Sequence, residues 1–283
     1  MTTAGRRGPR AMLMAVHRIV PLGVTAALVL AACTPGGEPP RAPAPPPVPP
    51  PASSPSTSPA GSGYGVLVFT RTAGFRHDSI PAGVRALREL GAGNGFTVTD
   101  TAQASAFTAG NLGRYAAVVF LNTTGDVLDA AQQAAFEAYV RGGGGYVGVH
   151  AAADTEYGWP FYAELVGAYF ARHPRVQRAD VRVVDRDHPA TAHLPATWTR
   201  TDEWYDYRAP PRGARVLATL DESSYAGGGM GADHPHAWCR AYAGGRSFYT
   251  GGGHTAQAYA EPLFRAHLLG AVRYAAGRVA ADC

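Results

Sequence analysis

The chain contains no lysine; all 25 of its basic residues are arginines. That absence excludes Schiff-base catalysis, a lysine-anchored pyridoxal phosphate and a phosphate-binding P-loop, each of which needs the amine. Cysteine is scarce, with three in 283 residues. No C-x-x-C or H-x-x-x-H spacing occurs, so no zinc site is announced by local ligand spacing. Excess charge is also missing from the body of the chain. The net +4 arises in the first 63 residues, which carry Arg6, Arg7, Arg10, Arg18 and Arg41 against Glu38 alone. Beyond them, 20 basic residues face 20 acidic ones. With no basic stripe, nucleic acid is not an expected partner.

What is present divides into three stretches. In residues 1–33, four arginines precede an apolar run from Ile19 to Ala32, too short for a comfortable membrane span. It ends Leu30-Ala31-Ala32-Cys33, which resembles the bacterial lipoprotein cleavage box. The resemblance implies a signal peptide, cleavage before Cys33 and lipidation of its thiol, with the membrane as partner through that anchor. The expected location is the outer face of the cytoplasmic membrane. An ordinary secretory signal is the alternative. Residues 34–63 are rich in proline ("PPRAPAPPPVPPPASSPSTSPAGSG") and read as a disordered, semi-rigid tether. At about 3.1 Å per residue it reaches roughly 90 Å. Residues 64–283 have the length of one substantial domain. In an exported protein, Cys239 and Cys283 are expected to pair and pin the C-terminal tail; a Cys239 nucleophile is the rival.

Within 64–283, short apolar runs alternate with helical patterns. "YGVLVFT" (64–70), "FTVTD" (96–100), "YAAVVFLN" (115–122) and the run 146–149 read as strands. Helices are expected over about 79–90, with Ser79 or Asp78 as cap, over 129–140 and over 262–276. This rhythm predicts an α/β fold with a mostly parallel sheet covered on both faces. Strands are also expected at 176–184, 197–205 and 214–220, and a hairpin around Gly244-Gly245.

Ligands of open parallel sheets bind beyond the carboxyl ends of the strands, and there the polar residues gather. "RTAGFRHD" brings Arg76 and His77, "GGYVGVHAAADT" brings His150 and Asp154, and "GGGHT" brings His254. The second motif has the look of a strand-to-helix elbow, where hydrolases and amidotransferases carry Ser or Cys. Here the elbow residue is His150. Asp154, one helical turn later, is placed to orient that imidazole. In "TDEWYDY", Glu203 and Tyr205 share a strand face opposite Trp204. Glu203 reads as a base, or as a charge on an exposed edge; its aromatic neighbours are a platform for a sugar. His188 reads as a turn residue, His193, His234, His236 and His267 as structural or surface groups, and His173 is undecided.

Together "FTRTAGFRHDSI", "GGYVGVHAAADT", "DHPATAHLPATWTRTDEWY" and "GRSFYTGGGHT" resemble the ThuA-like, trehalose-utilisation family over most of 65–277. The resemblance implies a flavodoxin-like, class I glutamine amidotransferase-like three-layer sandwich. It puts His150 at the nucleophile position and His254 at the base position of those relatives, so amidotransfer is expected to be lost. It also implies work on a carbohydrate, particularly oxidised (3-keto) disaccharides. The expected activity is acid–base chemistry by His150 and His254, with Glu203 as alternative base and Arg76, His77, Asp154 and Tyr205 binding substrate. Two alternatives stand beside it. One is a metal-dependent sugar hydrolase or isomerase, with a divalent ion such as zinc on His77, His150 and His254. The other is a carbohydrate-binding module without catalysis.

Overall fold

The computed structural model describes residues 63–283, which lie within one compact unit. The expected signal peptide, Cys33 and nearly all of the tether lie outside the described residues. The first half builds β1 (Tyr64–Phe69), α1 (Ile80–Asn94), β2 (Phe96–Thr101), the short α2 (Ala109–Leu112), β3 (Ala117–Leu121), α3 (Ala130–Arg141), β4 (Gly145–Val149) and α4 (Pro160–Val166). The second half adds β5 (Phe170–Arg172), β6 (Gln177–Val183), β7 (Thr197–Asp202), β8 (Asp206–Tyr207), β9 (Arg215–Asp221), β10 (Pro235–Tyr242), β11 (Gly245–Thr250) and α5 (Pro262–Ala275).

Nine strands form one sheet in the order β2-β1-β3-β4-β11-β10-β9-β6-β7, and β5 pairs with β8 apart from it. The helices cover both faces, giving a three-layer α/β sandwich. β3 shows why. All five of its residues are buried; Ala117, Val119 and Leu121 pack with α1 and α5, while Val118 and Phe120 pack with α3 and α4. An apolar side chain at every position is what a strand covered on both faces requires.

The sheet is mixed, which corrects the expectation of a mostly parallel one. β2, β1, β3, β4 and β11 pair in parallel. β11, β10, β9, β6 and β7 pair antiparallel. The cause is local. β10 and β11 are joined by two residues, Ala243 (φ 53°) and Gly244 (φ 98°), and a two-residue turn with both φ positive returns the chain alongside itself. The turn thus centres one residue earlier than expected. Ser79 also departs from its expected role. It makes no side-chain cap on α1, because its hydroxyl donates to Gly253 O at 3.1 Å.

Candidate functional site

β4 delivers His150 at its carboxyl end with φ 50°, the left-handed conformation that His, Asn and Asp enter more readily than most residues. Such backbone costs on the order of 1 kcal/mol and persists where the surroundings fix it. They do so here. The Tyr249 hydroxyl donates to His150 O at 2.8 Å, and His150 Nδ1 lies 2.8 Å from Gly251 O. A carbonyl only accepts, so Nδ1 carries a proton, and Nε2 is the nitrogen turned to the centre. The Tyr205 ring, 4.1 Å away between centroids, covers the imidazole, which is fully buried. The chain then makes a single 3₁₀ stretch, His150–Asp154, before Thr155. Asp154 therefore does not orient His150; its carboxylate accepts from the Tyr157 hydroxyl at 2.6 Å.

His254 is set by a turn that several side chains clasp. Gly253 has φ 114°, and a Cβ there would meet the Tyr259 hydroxyl at 2.6 Å, so only glycine fits. The Asp202 carboxylate accepts from Gly253 N at 2.8 Å and His254 N at 3.0 Å. Arg200 holds Asp202 in turn, at 3.0 Å, and also reaches Glu261 at 3.1 Å. From the other side Asn122 Nδ2 donates to Gly253 O and to Ser79 Oγ, at 3.1 and 2.9 Å. Asp202 ends β7, and the next residue, Glu203, turns its carboxylate inward, only 6% exposed. An exposed edge is thereby excluded for it.

These loops bring His77, His150, Glu203 and His254 together, with one donor atom from each lying within 4.8 Å of the others. Glu203 Oε2 is 3.4 Å from His150 Nε2 and 3.2 Å from His254 Nδ1. Neither contact is aligned as a hydrogen bond, and His77 Nδ1, His150 Nε2 and His254 Nδ1 are all buried without a partner. Donor atoms around a tetrahedral zinc are about 3.3 Å apart, so the carboxylate edges already match such a site. Burial, with His150 and His254 alongside, pushes the His77 pKa down to about 3. It is held neutral, the form that ligates metals. Burial disfavours charge on Glu203, but the facing His150 and His254 outweigh it and hold the carboxyl far below its usual range. For His254 burial acts downward, and the Glu203 carboxylate overcomes it and raises the pKa.

Of the other expected site residues, Tyr205 lies against this centre and Arg76 does not join it, donating to Thr70 O at 3.3 Å. His173, undecided from sequence, lies 3.0 Å from the second Glu203 oxygen. Asp202, Ser79 and Asn122 join the site without any spacing signal of their own: Ser79 and Asp202 lie inside motifs quoted above, and Asn122 ends the run 115–122. His188 occupies a buried turn, its Nδ1 accepting from Ala190 N at 3.1 Å. Cys239 and Cys283 form a disulfide with their Cα atoms 5.5 Å apart.

The fold is similar to that of a ThuA-like protein from Bacteroides uniformis ATCC 8492 (TM-score 0.65, 23% identity, covering 79% of this chain and 95% of that one). It is similar to a ThuA-like protein from Parabacteroides merdae ATCC 43184 (TM-score 0.64, 21% identity, 78% and 93% covered). A beta-galactosidase from Bacillus circulans sp. alkalophilus shares the fold over 31% of its own length and 76% of this chain, at 14% identity and TM-score 0.52. No curated protein matches this chain. The family profile for ThuA, described as trehalose utilisation, matches residues 65–275, and the chain belongs to that family.

Proposed function

We propose that the protein processes a sugar or glycoside, with a 3-keto disaccharide as the leading class, at the His77–His150–Glu203–His254 centre, and that these four side chains hold a divalent cation such as zinc. The observation that carries this is the convergence on one carboxylate of three histidines, each with a buried, unpartnered ring nitrogen. Each such atom left unpaired costs about 1–3 kcal/mol. When bound, a cation of this kind polarises an oxygen of the substrate. The chain's own residues do the rest. Gly251 fixes which nitrogen of His150 faces the centre, Glu203 supplies the compensating negative charge, and Tyr205 excludes water from one side. His254, the least buried of the four, borders the cavity through which substrate arrives.

A second reading keeps the same residues and dispenses with the ion. His254 and Glu203, 3.2 Å apart, then form a proton-transfer pair, with His150 as the opposite acid or base. The proton beside the carbonyl of a 3-keto sugar is acidic, and its removal opens isomerisation or elimination of the glycosidic oxygen. Elemental analysis and chelation of the purified protein, with product analysis on native and oxidised disaccharides, separate the readings. The expected result is about one equivalent of metal and turnover that chelation abolishes and metal restores. Turnover indifferent to chelator replaces the first reading by the second; sugar bound and recovered unchanged rejects both in favour of a binding module. The Arg-led leader and Leu30-Ala31-Ala32-Cys33 support an exported domain anchored through lipidated Cys33 on the outer face of the cytoplasmic membrane. Metabolic labelling with a radioactive fatty acid, lost in Cys33→Ala, tests the anchor.

A further inference from the structure

Phe75 is the one aromatic among the large apolar side chains that stand exposed in the described residues, at 67%. Leaving a phenyl ring in water forgoes the burial that stabilises a fold, yet its backbone is firmly placed. Phe75 O accepts from Thr124 Oγ1 at 2.9 Å. The two residues before it bond to Thr124 as well, Ala73 N to its carbonyl at 2.7 Å and Gly74 N to its hydroxyl at 3.2 Å. The ring meets His77 edge to face, with centroids 4.9 Å apart and planes at 90°. A rigidly mounted, solvent-facing phenyl thus stands directly beside the buried centre.

The same ring lines a cavity of about 300 Å³ whose other walls include His77, Asp78, His254, Thr255 and Gln257. That volume is at the small end of ligand sites, room for a single sugar ring. Its polar groups are the Asp78 carboxylate, the Thr255 hydroxyl, the Gln257 amide, the His77 and His254 imidazoles and the Ser79 hydroxyl, already bonded to Gly253 O. No arginine lines it; the Arg76 guanidinium next to Phe75 turns to Thr70 O. The lining has hydrogen-bonding groups for hydroxyls, no guanidinium to clasp a phosphate or uronate, and a carboxylate, Asp78, that repels one, while the His254 imidazole is turned to Glu203.

We infer that Phe75 is the stacking platform for one neutral pyranose ring, whose apolar C–H face lies on the phenyl and whose hydroxyl edge meets Asp78, Thr255 and Gln257. This rests on the sugar-processing reading and adds which face of the substrate is recognised and that its bound ring is uncharged. A flat aromatic against the C–H face removes apolar surface from water on both partners. The second ring of a disaccharide then projects past the rim.

The test is calorimetric binding of α,α-trehalose, 3-keto-trehalose and trehalose 6-phosphate to the purified wild-type protein and to Phe75→Ala and Phe75→Trp. Melting temperature and zinc content are measured for all three. Wild type is expected to bind at least one of the two neutral sugars, and the phosphate more weakly. Phe75→Ala is expected to lose about ten-fold in affinity with unchanged melting and zinc content. Phe75→Trp is expected to keep the affinity, its indole fluorescence shifting on titration. Equal affinity of wild type and Phe75→Ala for a sugar that does bind overturns the platform and leaves the sugar reading intact. Tighter binding of the phosphate overturns the neutral-ring assignment. Failure of wild type to bind any of the three overturns the sugar reading itself, and the platform with it.

Discussion

The centre at the ends of β4 and β11 and the cluster around His234 contain the same kinds of side chain and differ in what those side chains already do. Around His234, Nδ1 lies 2.8 Å from Glu222 Oε1 and Nε2 lies 2.8 Å from Tyr205 O. Glu222 also accepts from Met230 N and Gly231 N, at 2.7 and 2.9 Å, and Asp206 is paired with Arg172. Every nitrogen of that imidazole is engaged. At the His77–His150–His254 centre one nitrogen of each ring is buried and free. A third grouping, His188 with Cys239 and Cys283, has its sulfurs tied to each other. Proximity of ligand-type residues is therefore a poor guide; ring nitrogens left without a partner at a shared point distinguish the candidate centre from a structural cluster. The two clusters are also joined, since His234 braces the backbone of Tyr205, which covers His150.

The comparison breaks first if removing a centre residue leaves metal in place. Glu203→Gln and His150→Ala should each lose bound zinc and at least about 100-fold in turnover, measured by elemental analysis and product formation. The Cys239→Ala/Cys283→Ala variant should lose up to about 4 kcal/mol in denaturant unfolding, the chain-entropy value for a loop spanning 44 residues, with zinc content intact. His234→Ala leaves the Glu222 carboxylate and the Tyr205 carbonyl without their partner and should cost about 2–4 kcal/mol; zinc should still bind.

Buried histidines outside the centre sharpen the contrast through pH. Burial lowers His188 to about 4 and His267 to about 3, and His236 is lowered in the same way. Unfolded, each titrates near 6.5 and takes up a proton the folded chain refuses. Their contribution is therefore complete above pH 6.5 and is lost as pH falls toward the folded values. Between pH 6.5 and 5 each costs about 2 kcal/mol, and His267→Gln should flatten a denaturation series over that window by about one proton. The smallest effect is expected at Asp154→Asn. Its carboxylate bonds to Tyr157 and not to the centre, so zinc content should not change and stability should fall by less than about 1 kcal/mol.

Much of this was readable along the chain. The parallel half announces itself because β3 and β4 are apolar on both faces and are separated by a helical pattern. The strands of the other half were recognisable singly, but their direction depends on a turn at Ala243-Gly244 and on long-range pairing that no local period records. The convergence of His77, His150 and His254 followed from their places after strands. Glu203 did not follow so simply, because its segment comes off the far edge strand and returns. His173 and Asp202 escaped for a related reason: one acts through Glu203 and the other through backbone amides, and such roles leave no spacing in the sequence.

The left-handed corner at residue 150 has a practical consequence. Because its shape is fixed by Tyr249 and tolerated by few side chains, the imidazole can be deleted without bending the support only by choosing a residue at ease in that conformation. His150→Asn removes the ring and should leave the corner standing, whereas His150→Val forces a β-branched residue into a geometry it resists. Comparing the two separates what the ring contributes from what the bend contributes.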